Sequence, residues 1–289
     1  MGQSSEGDLD AMTSDLILIV PDIHATLAAF EDVLREHGLL PGSEPLRSDA
    51  IVIQLGDLVG KGSERDSCLD LVEELRGELG DRYIQLLGNH EWLENENGTP
   101  DSIWKQETDL QEKPVRCAGG PIAVAVEDQA LGPVLITHAG LTAENWKVLG
   151  EPSVQEAASI LNELVREPSG MVFTAGLIPD RESPNAAAGP LWADSAAELL
   201  PSWLEFCDSG RQMPFSQVHG HTAPWNWKLD RWEIGLPRTI IDRTEVNPGT
   251  RCCCCHLGNK QIMSIDWGYG DVVTRKRGTG TALSGTIVS

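Results

Sequence analysis

With 289 residues, 40% of them hydrophobic and 23% charged, the chain has ordinary globular composition, which excludes disorder over its whole length. No run approaches the ~18 consecutive apolar residues of a membrane span, and the first apolar stretch, Leu16–Val20, is short and preceded by Glu6, Asp8, Asp10 and Asp15 rather than by basic residues. Acidic residues outnumber basic ones 44 to 22, and a net charge of −22 disfavours nucleic-acid and anionic-membrane partners while allowing a small anion at a locally positive site. The chain therefore reads as cytoplasmic.

Residues 1–14 are polar and acidic and read as a flexible tail ahead of a single domain over 15–277. Short apolar runs then recur at Leu16–Val20, Ala50–Leu55, Tyr83–Leu87, Ile122–Val126, Val134–Thr137, Ser216–Val218, Thr239–Ile241 and Gln261–Ile265, the signature of buried strands. Between the early ones, Leu27-Phe30-Leu34 and Leu69-Leu71-Val72-Leu75-Leu79 recur at roughly helical spacing. The first half thus predicts β-α-β-α-β, an α/β core with right-handed crossovers. Residues Val154–Arg166 and Ser195–Phe206 predict two further helices. From Ser216 the pattern is strands and turns, closing in a hairpin, Arg251–His256 and Gln261–Ile265, around Leu257-Gly258-Asn259-Lys260. Residues 94–121 and 176–190 read as long surface loops, and the Gly/Thr/Ser-rich end, 278–289, as a second flexible tail. Strand side chains alternate between faces, so Cys252–Cys255 cannot converge on one zinc ion and reads as a buried strand using Cys as a small hydrophobe.

The chemistry lies in the residues at the strand ends. Asp22-Ile23-His24 comes directly after the first run, Gly56-Asp57 after the second and Gly88-Asn89-His90-Glu91 after the third. His138-Ala139-Gly140 succeeds Val134–Thr137, and His219-Gly220-His221 succeeds Ser216–Val218. Ligands of α/β sheets bind outside the carboxyl ends of strands. Each cluster alone is weak, but five in order, each at a strand end, are not a chance pattern. Carboxylate, imidazole and amide oxygen suit Mn, Fe or Zn. Asp57 could bridge two ions. Two divalent ions against Asp22, Asp57 and a bridging hydroxide leave the site near +1, suited to a compact phosphate. Ions about 3.5–4 Å apart can activate water and clamp both oxygens of an in-line phosphoryl displacement.

Asp22-Ile23-His24, Gly56-Asp57-Leu58-Val59-Gly60-Lys61-Gly62, Gly88-Asn89-His90-Glu91, His138-Ala139-Gly140-Leu141 and Gly220-His221-Thr222 resemble the ordered signature of calcineurin-like metallophosphoesterases. The resemblance is to the branch of serine/threonine protein phosphatases and symmetrical dinucleoside tetraphosphatases, and extends to Ile265-Asp266-Trp267-Gly268. It implies a four-layer α/β/β/α sandwich of two mixed β-sheets flanked by helices, with a dinuclear centre. Carried over, Asp22, His24 and Asp57 would hold one divalent ion, and Asp57, Asn89, His138 and His221 the other. Manganese is the expected metal, with Fe, Zn, Ni or Co as alternatives. His90 matches the histidine that protonates the leaving group, and Lys61, with Asn89 and His90, would contact the substrate phosphate. Lys61 stands where the family often has an arginine, and gives a point charge without the bidentate fork.

The implied activity is hydrolysis of phosphomonoesters, in a phosphoprotein or a small phosphorylated substrate, by a hydroxide held at the two metals, with His90 and Asp57 as catalytic residues. The alternatives are a dinucleoside polyphosphate pyrophosphohydrolase and, less favoured, a non-catalytic binding module. Gly60 replaces the aspartate that orients the catalytic histidine in protein phosphatases and resembles the small residue of the tetraphosphatases. Glu91 and Leu191-Trp192-Ala193-Asp194 look more like the protein-phosphatase side, and Ala25 replaces the usual glycine after Asp-x-His. Arg211, Arg238 and Arg243 are candidates for a second phosphate-binding arginine. His219 reads as a structural neighbour of His221, and Trp225 and Trp227 as rim or core packing before substrate stacking.

Overall fold

Strand periodicity sorts the side chains of β1 (Met12–Val20) onto two faces. Leu16, Leu18 and Val20 pack with Phe30, Val33 and Leu34 of α1 (Leu27–Glu36) and Leu71, Val72 and Leu75 of α2 (Arg65–Leu79). Ile17 and Ile19 turn the other way, joining Ile51 and Ile53 of β2 (Ile51–Gln54) in a second cluster. That cluster also takes Ile84 of β3 (Tyr83–Gln85), Val124 and Val126 of β4 (Ala123–Asp128), and Val134 and Ile136 of β5 (Gly132–Thr137). The alternate residues Ala123, Ala125 and Leu135 face outward, onto helices further along the chain. The computed structural model describes residues 12–43, 47, 49–97, 120–165, 170–177, 183–266 and 280–288.

The remaining elements are α3 (Asn89–Asn97), α4 (Ala143–Val148), α5 (Val154–Leu164) and α6 (Leu200–Asp208), then β6 (Ser216–His219), β7 (Trp225–Asn226) and β8 (Arg231–Trp232). A short helix α7 (Arg238–Ile241) leads to β9 (Thr244–Asn247), β10 (Cys252–Leu257), β11 (Lys260–Ser264) and β12 (Thr281–Val288). Ala157 and Leu161 of α5 and Trp203 of α6 form the outer cluster on β4 and β5. A capping box of Ser153 and Glu156 starts α5, and the Trp203 indole N–H donates to the Leu141 carbonyl at 2.7 Å.

Pairing follows the order β3-β2-β1-β12-β4-β5-β6-β11-β10-β9, one continuous ladder of ten strands among the described residues. β1, β2 and β3 pair in parallel, as their helical crossovers require. Four strand spacings separate β2 from β5 along the ladder, about 19 Å in a flat sheet. Yet Nδ1 of His138, just after β5, lies 2.9 Å from the Leu55 carbonyl, just after β2. The ladder therefore folds over on itself, and the cluster of Ile17, Ile53 and Val134 fills the fold. The result is one large mixed sheet folded into two facing layers and flanked by helices, consistent with the expected four-layer sandwich.

Several expectations change. Residues 281–288 are not a flexible tail: β12 pairs antiparallel with β1 on one side and β4 on the other, burying Leu283 and Ile287. Residues 12–14 belong to β1 rather than to the first tail, whose residues 1–11 lie outside the described residues. Thr239–Ile241, expected as a strand for its β-branched run, is helical in α7, which starts after Pro237; the strand is β9, immediately afterwards. Residues 94–97 continue α3 instead of opening a loop, and 98–119 and 267–279, with Trp267 and Gly268, lie outside the described residues. Ser195–Leu199 forms a π-helical turn before α6.

Candidate metal centre

The loops that leave β1, β2, β3, β5 and β6 meet at one edge of the sandwich. Asp57 O accepts from the N–H groups of Ile23 (3.1 Å) and His24 (2.8 Å), and His138 O accepts from Gly220 N–H at 2.8 Å. His221 N–H donates to both Asp22 carboxylate oxygens at 3.2 and 3.1 Å. Four residues of these loops have left-handed backbone: His24 (φ 46°), Ala25 (φ 54°), Asp57 (φ 50°) and His221 (φ 62°). Such strain clusters where surrounding structure over-determines a site. It also gives Ala25 a reason to be glycine elsewhere, since a Cβ at this φ costs roughly 1–2 kcal/mol.

Two groups of ligand atoms result, each with its members within 4.8 Å of one another. Asp22, Asp57, His138 and His221 form one; His24, Asp57 and His90 form the other. Asp57 belongs to both. Asn89 joins the first, its Oδ1 2.9 Å from His138 Nε2. The grouping differs from the expected one in two respects. Asp22 sits between the groups, Oδ1 3.9 Å from His138 Nδ1 and Oδ2 4.0 Å from His24 Nε2. His90 Nε2, at 3.7 Å from Asp57 Oδ2, comes as near that carboxylate as His24 Nε2 does at 3.8 Å.

The donor chemistry fits divalent cations. Leu55 O can only accept, so His138 Nδ1 carries a proton, and Nε2 on the other side of the ring faces Asn89 Oδ1 at 2.9 Å and Asp57 Oδ1 at 3.6 Å. An imidazole nitrogen, an amide oxygen and carboxylate oxygens gathered this closely are a donor set that suits a divalent cation. Burial lowers the His24 imidazole to about 3 and holds His221 well below its usual value, so both rings are neutral donors. Burial drives Asp22 well up, with neighbouring Asp57 and Asp266 adding to the effect. Burial would raise Asp57 too, but the imidazoles of His90, His138, His24 and His221 outweigh it and hold that carboxylate well below its ordinary value.

Behind the ligands stand polar side chains that the sequence did not single out for this task. Gln54, fully buried on β2, accepts from Gly56 N–H at 2.9 Å and donates to Gly56 O at 2.7 Å. Gln217 on β6 does the same for Leu141, at 2.8 and 3.0 Å. Glu91, also fully buried, accepts three backbone N–H bonds from the loops that carry Asp57 and Asn89. Glu91 stands in the Gly88-Asn89-His90-Glu91 motif and Gln54 two residues before Gly56, but the bonds from Glu91 to Asp57 and Val59 and from Gln217 to Leu141 join segments far apart in the chain.

Other expected residues find definite places. Lys61 Nζ lies 3.5 Å from His24 Nε2, and its charge reaches Asp22, His90 and His221. Gly60 has φ +107°, and a Cβ built there would come within 3.1 Å of the His90 ring carbons and closer still to Nδ1. The imidazole thus rests on the bare Cα of Gly60. Arg211 pairs with Glu151, Arg238 with Asp242 and Arg243 with Asp208, all partly or largely exposed pairs. His219 Nδ1–H donates to Gly220 O at 2.9 Å and its Nε2 accepts from Ser264 Oγ at 2.8 Å, so both nitrogens are engaged, the second of them in holding β6 against β11. Trp225 packs edge-on against Trp232, ring centroids 5.0 Å apart. The aromatic row that meets the centre is Phe173, Trp92 and Trp192, ending 6.5 Å from the His221 ring. In the cysteine run, Cys255 faces the outer cluster and Cys252 and Cys254 the inner one. Burial raises Cys252 to about 11 and Cys254 to about 12, so neither thiol is a ready ligand or nucleophile.

Among solved structures, a cold-active protein tyrosine phosphatase matches at 13% identity and TM-score 0.55, over 90% of this chain and 71% of that one. The cold-active protein-tyrosine phosphatase of a psychrophile, Shewanella sp., matches at 14% identity and TM-score 0.52, over 90% and 73%. At these identities the likeness is one of fold. A comparison with curated proteins finds no match. No helix among the described residues is long and apolar enough to cross a membrane. The family model for calcineurin-like phosphoesterases matches residues 16–225, which carry the whole of both ligand groups, and the chain belongs to that family of metal-dependent hydrolases acting on phosphoester bonds.

Proposed function

We propose that this enzyme hydrolyses phosphomonoesters, small or protein-borne, at a pair of divalent ions, manganese first among them, held by Asp22, His24, Asp57, Asn89, His138 and His221. The observation that carries the reading is the place of Asp57 in both ligand groups. Two such ions, when bound, supply Lewis-acid charge and an activated water. The protein's own residues do the rest. Lys61 offers a point charge at the mouth of the site and orients a phosphate oxygen. Asn89 fixes the substrate beside His138. With Nδ1 against Gly60 and Nε2 on the Asp57 side, His90 holds at Nε2 the proton that the departing oxygen needs.

Charge supports a monoester over a polyphosphate. Lys61 stands at the centre, whereas Arg211, Arg238 and Arg243 are engaged with carboxylates elsewhere. A chain of four phosphates would leave most of its charge unmatched in a protein of net charge −22. The second reading, cleavage of dinucleoside polyphosphates, draws on Gly60, which resembles the small residue of the tetraphosphatases. A panel of p-nitrophenyl phosphate, a phosphopeptide, nucleoside monophosphates and diadenosine tetraphosphate, assayed with added manganese, separates the two. We expect kcat/KM to be at least tenfold higher on a monoester than on diadenosine tetraphosphate. The reverse order would replace this reading with the second.

A further inference from the structure

Glu91 lies two residues beyond Asn89, in the first turn of α3, yet belongs to neither ligand group. Its Oε2 accepts from Asp57 N–H at 2.8 Å and from Gly88 N–H at 3.0 Å, and its Oε1 accepts from Val59 N–H at 3.2 Å. The side chain is completely buried. One carboxylate therefore ties the loop after β2, at both sides of Leu58, to the loop after β3.

The tie matters because of the residue it holds. Asp57 sits at φ 50°, a left-handed conformation that a non-glycine residue keeps only under outside constraint. Its N–H, immediately before that strained φ, is one of the three groups bound by Glu91. The two loops also approach too closely for a side chain at position 88: a Cβ there would lie 2.8 Å from Glu91 Oε2 and closer still to Asp57. From the far side, His90 N–H donates to Asp57 Oδ1 at 3.0 Å, so the same helical turn that carries Glu91 also aims the Asp57 carboxylate.

We propose that Glu91 is the positioning residue of the metal centre, a carboxylate that binds no ion but holds Asp57 in the backbone conformation from which it can serve both ligand groups. This inference rests on the metal-centre reading above and adds to it a specific device. Because Asp57 is shared, loss of the tie weakens both sites together rather than one.

The test uses the full chain and manganese alone. Apo protein and the variants Glu91→Ala and Glu91→Gln are titrated calorimetrically with Mn2+, and thermal unfolding of each apo form is recorded. Glutamine keeps one oxygen for Asp57 and Gly88 but turns an amide N–H₂ toward Val59 N–H, so it retains part of the tie. Partners one shell out from a metal typically contribute 10–100-fold to affinity. We expect Glu91→Ala to weaken both ions by about 100-fold and Glu91→Gln by about 10-fold.

Asp128 supplies the control. It too is buried and accepts three backbone N–H bonds, from Ala130, Leu131 and Ser284, but at the opposite end of β5 from His138. Asp128→Asn should lower the apo unfolding temperature and leave Mn2+ affinity within twofold of the parent. The inference is overturned if Glu91→Ala, or Glu91→Gln should the alanine variant not fold, binds two ions with parental affinity. It is equally overturned if Asp128→Asn weakens binding as much as Glu91→Gln. A parent chain that binds no divalent ion would instead overturn the metal-centre reading itself.

Discussion

Gly60→Ala isolates the orientation of His90 from its presence. The new methyl would stand 3.0 Å from His90 Cε1 and 3.1 Å from Cγ, nearer still to Nδ1, where carbon contacts settle at about 3.5–4.0 Å. Relief requires the ring to retreat by roughly 1 Å, and a displacement of that size can cost about 10²-fold in rate. The φ of +107° at position 60 adds a backbone cost of about 1–3 kcal/mol for any residue with a Cβ, to be seen as a lower unfolding temperature. Neither residue 60 nor His90 is among the six side chains proposed to hold the ions, so metal content should hold. The assay is kcat on an alkyl phosphate and on p-nitrophenyl phosphate with metal content measured in parallel. If His90 delivers a proton, the alkyl substrate should lose roughly 10–100-fold and the nitrophenyl substrate only a few-fold, since p-nitrophenolate leaves with little help. Equal losses on both substrates, or none on the alkyl phosphate, would refute the assignment of Gly60 as the seat of a general acid.

His90→Asn should keep its metals and lose about 10²-fold on the alkyl phosphate, the low end of general-acid effects, because no carboxylate stands at Gly60 to tune the ring; a loss of equal size on p-nitrophenyl phosphate would assign His90 to phosphate binding. Cys252 and Cys254, raised by burial to about 11 and 12, should resist iodoacetamide in the native protein at pH 8, as should Cys68 at about 12. Rapid native alkylation at these positions, read by peptide mass spectrometry, would contradict their burial. The same shifts set a sign: unfolded thiols ionise near 9.0, so unfolding releases protons above that pH, and stability should fall as pH climbs from 9 toward 11, as a denaturation series would show.

How far the sequence carries the structure depends on where each interaction lies. Strands with dense Ile, Val and Leu, such as Ile51–Gln54, and the polar groups directly after them were legible, because a strand end and its next residues are neighbours in the chain. β12 was not. Its Thr, Ser and Gly content looks like a tail, and it becomes a strand because β1 and β4 offer hydrogen-bonding edges on both sides. Thr239–Ile241 misled in the opposite sense, since Pro237 at the start of a helical turn outweighed a β-branched run. In the centre, the ligand types were readable, but Glu91 and Gln217 act on backbone groups of distant loops, and the row of Phe173, Trp92 and Trp192 assembles residues from three separate segments. Such contacts have no sequence spacing to betray them.

The central claim is that one carboxylate, Asp57, serves two ions. The most direct measurement is metal content of the parent and of Asp57→Asn after manganese loading and gel filtration, counted by plasma mass spectrometry. The shared position of Asp57 in both ligand groups leads us to expect two ions per chain in the parent, and in the variant neither ion retained and no turnover. Two fully occupied sites in Asp57→Asn would contradict the account.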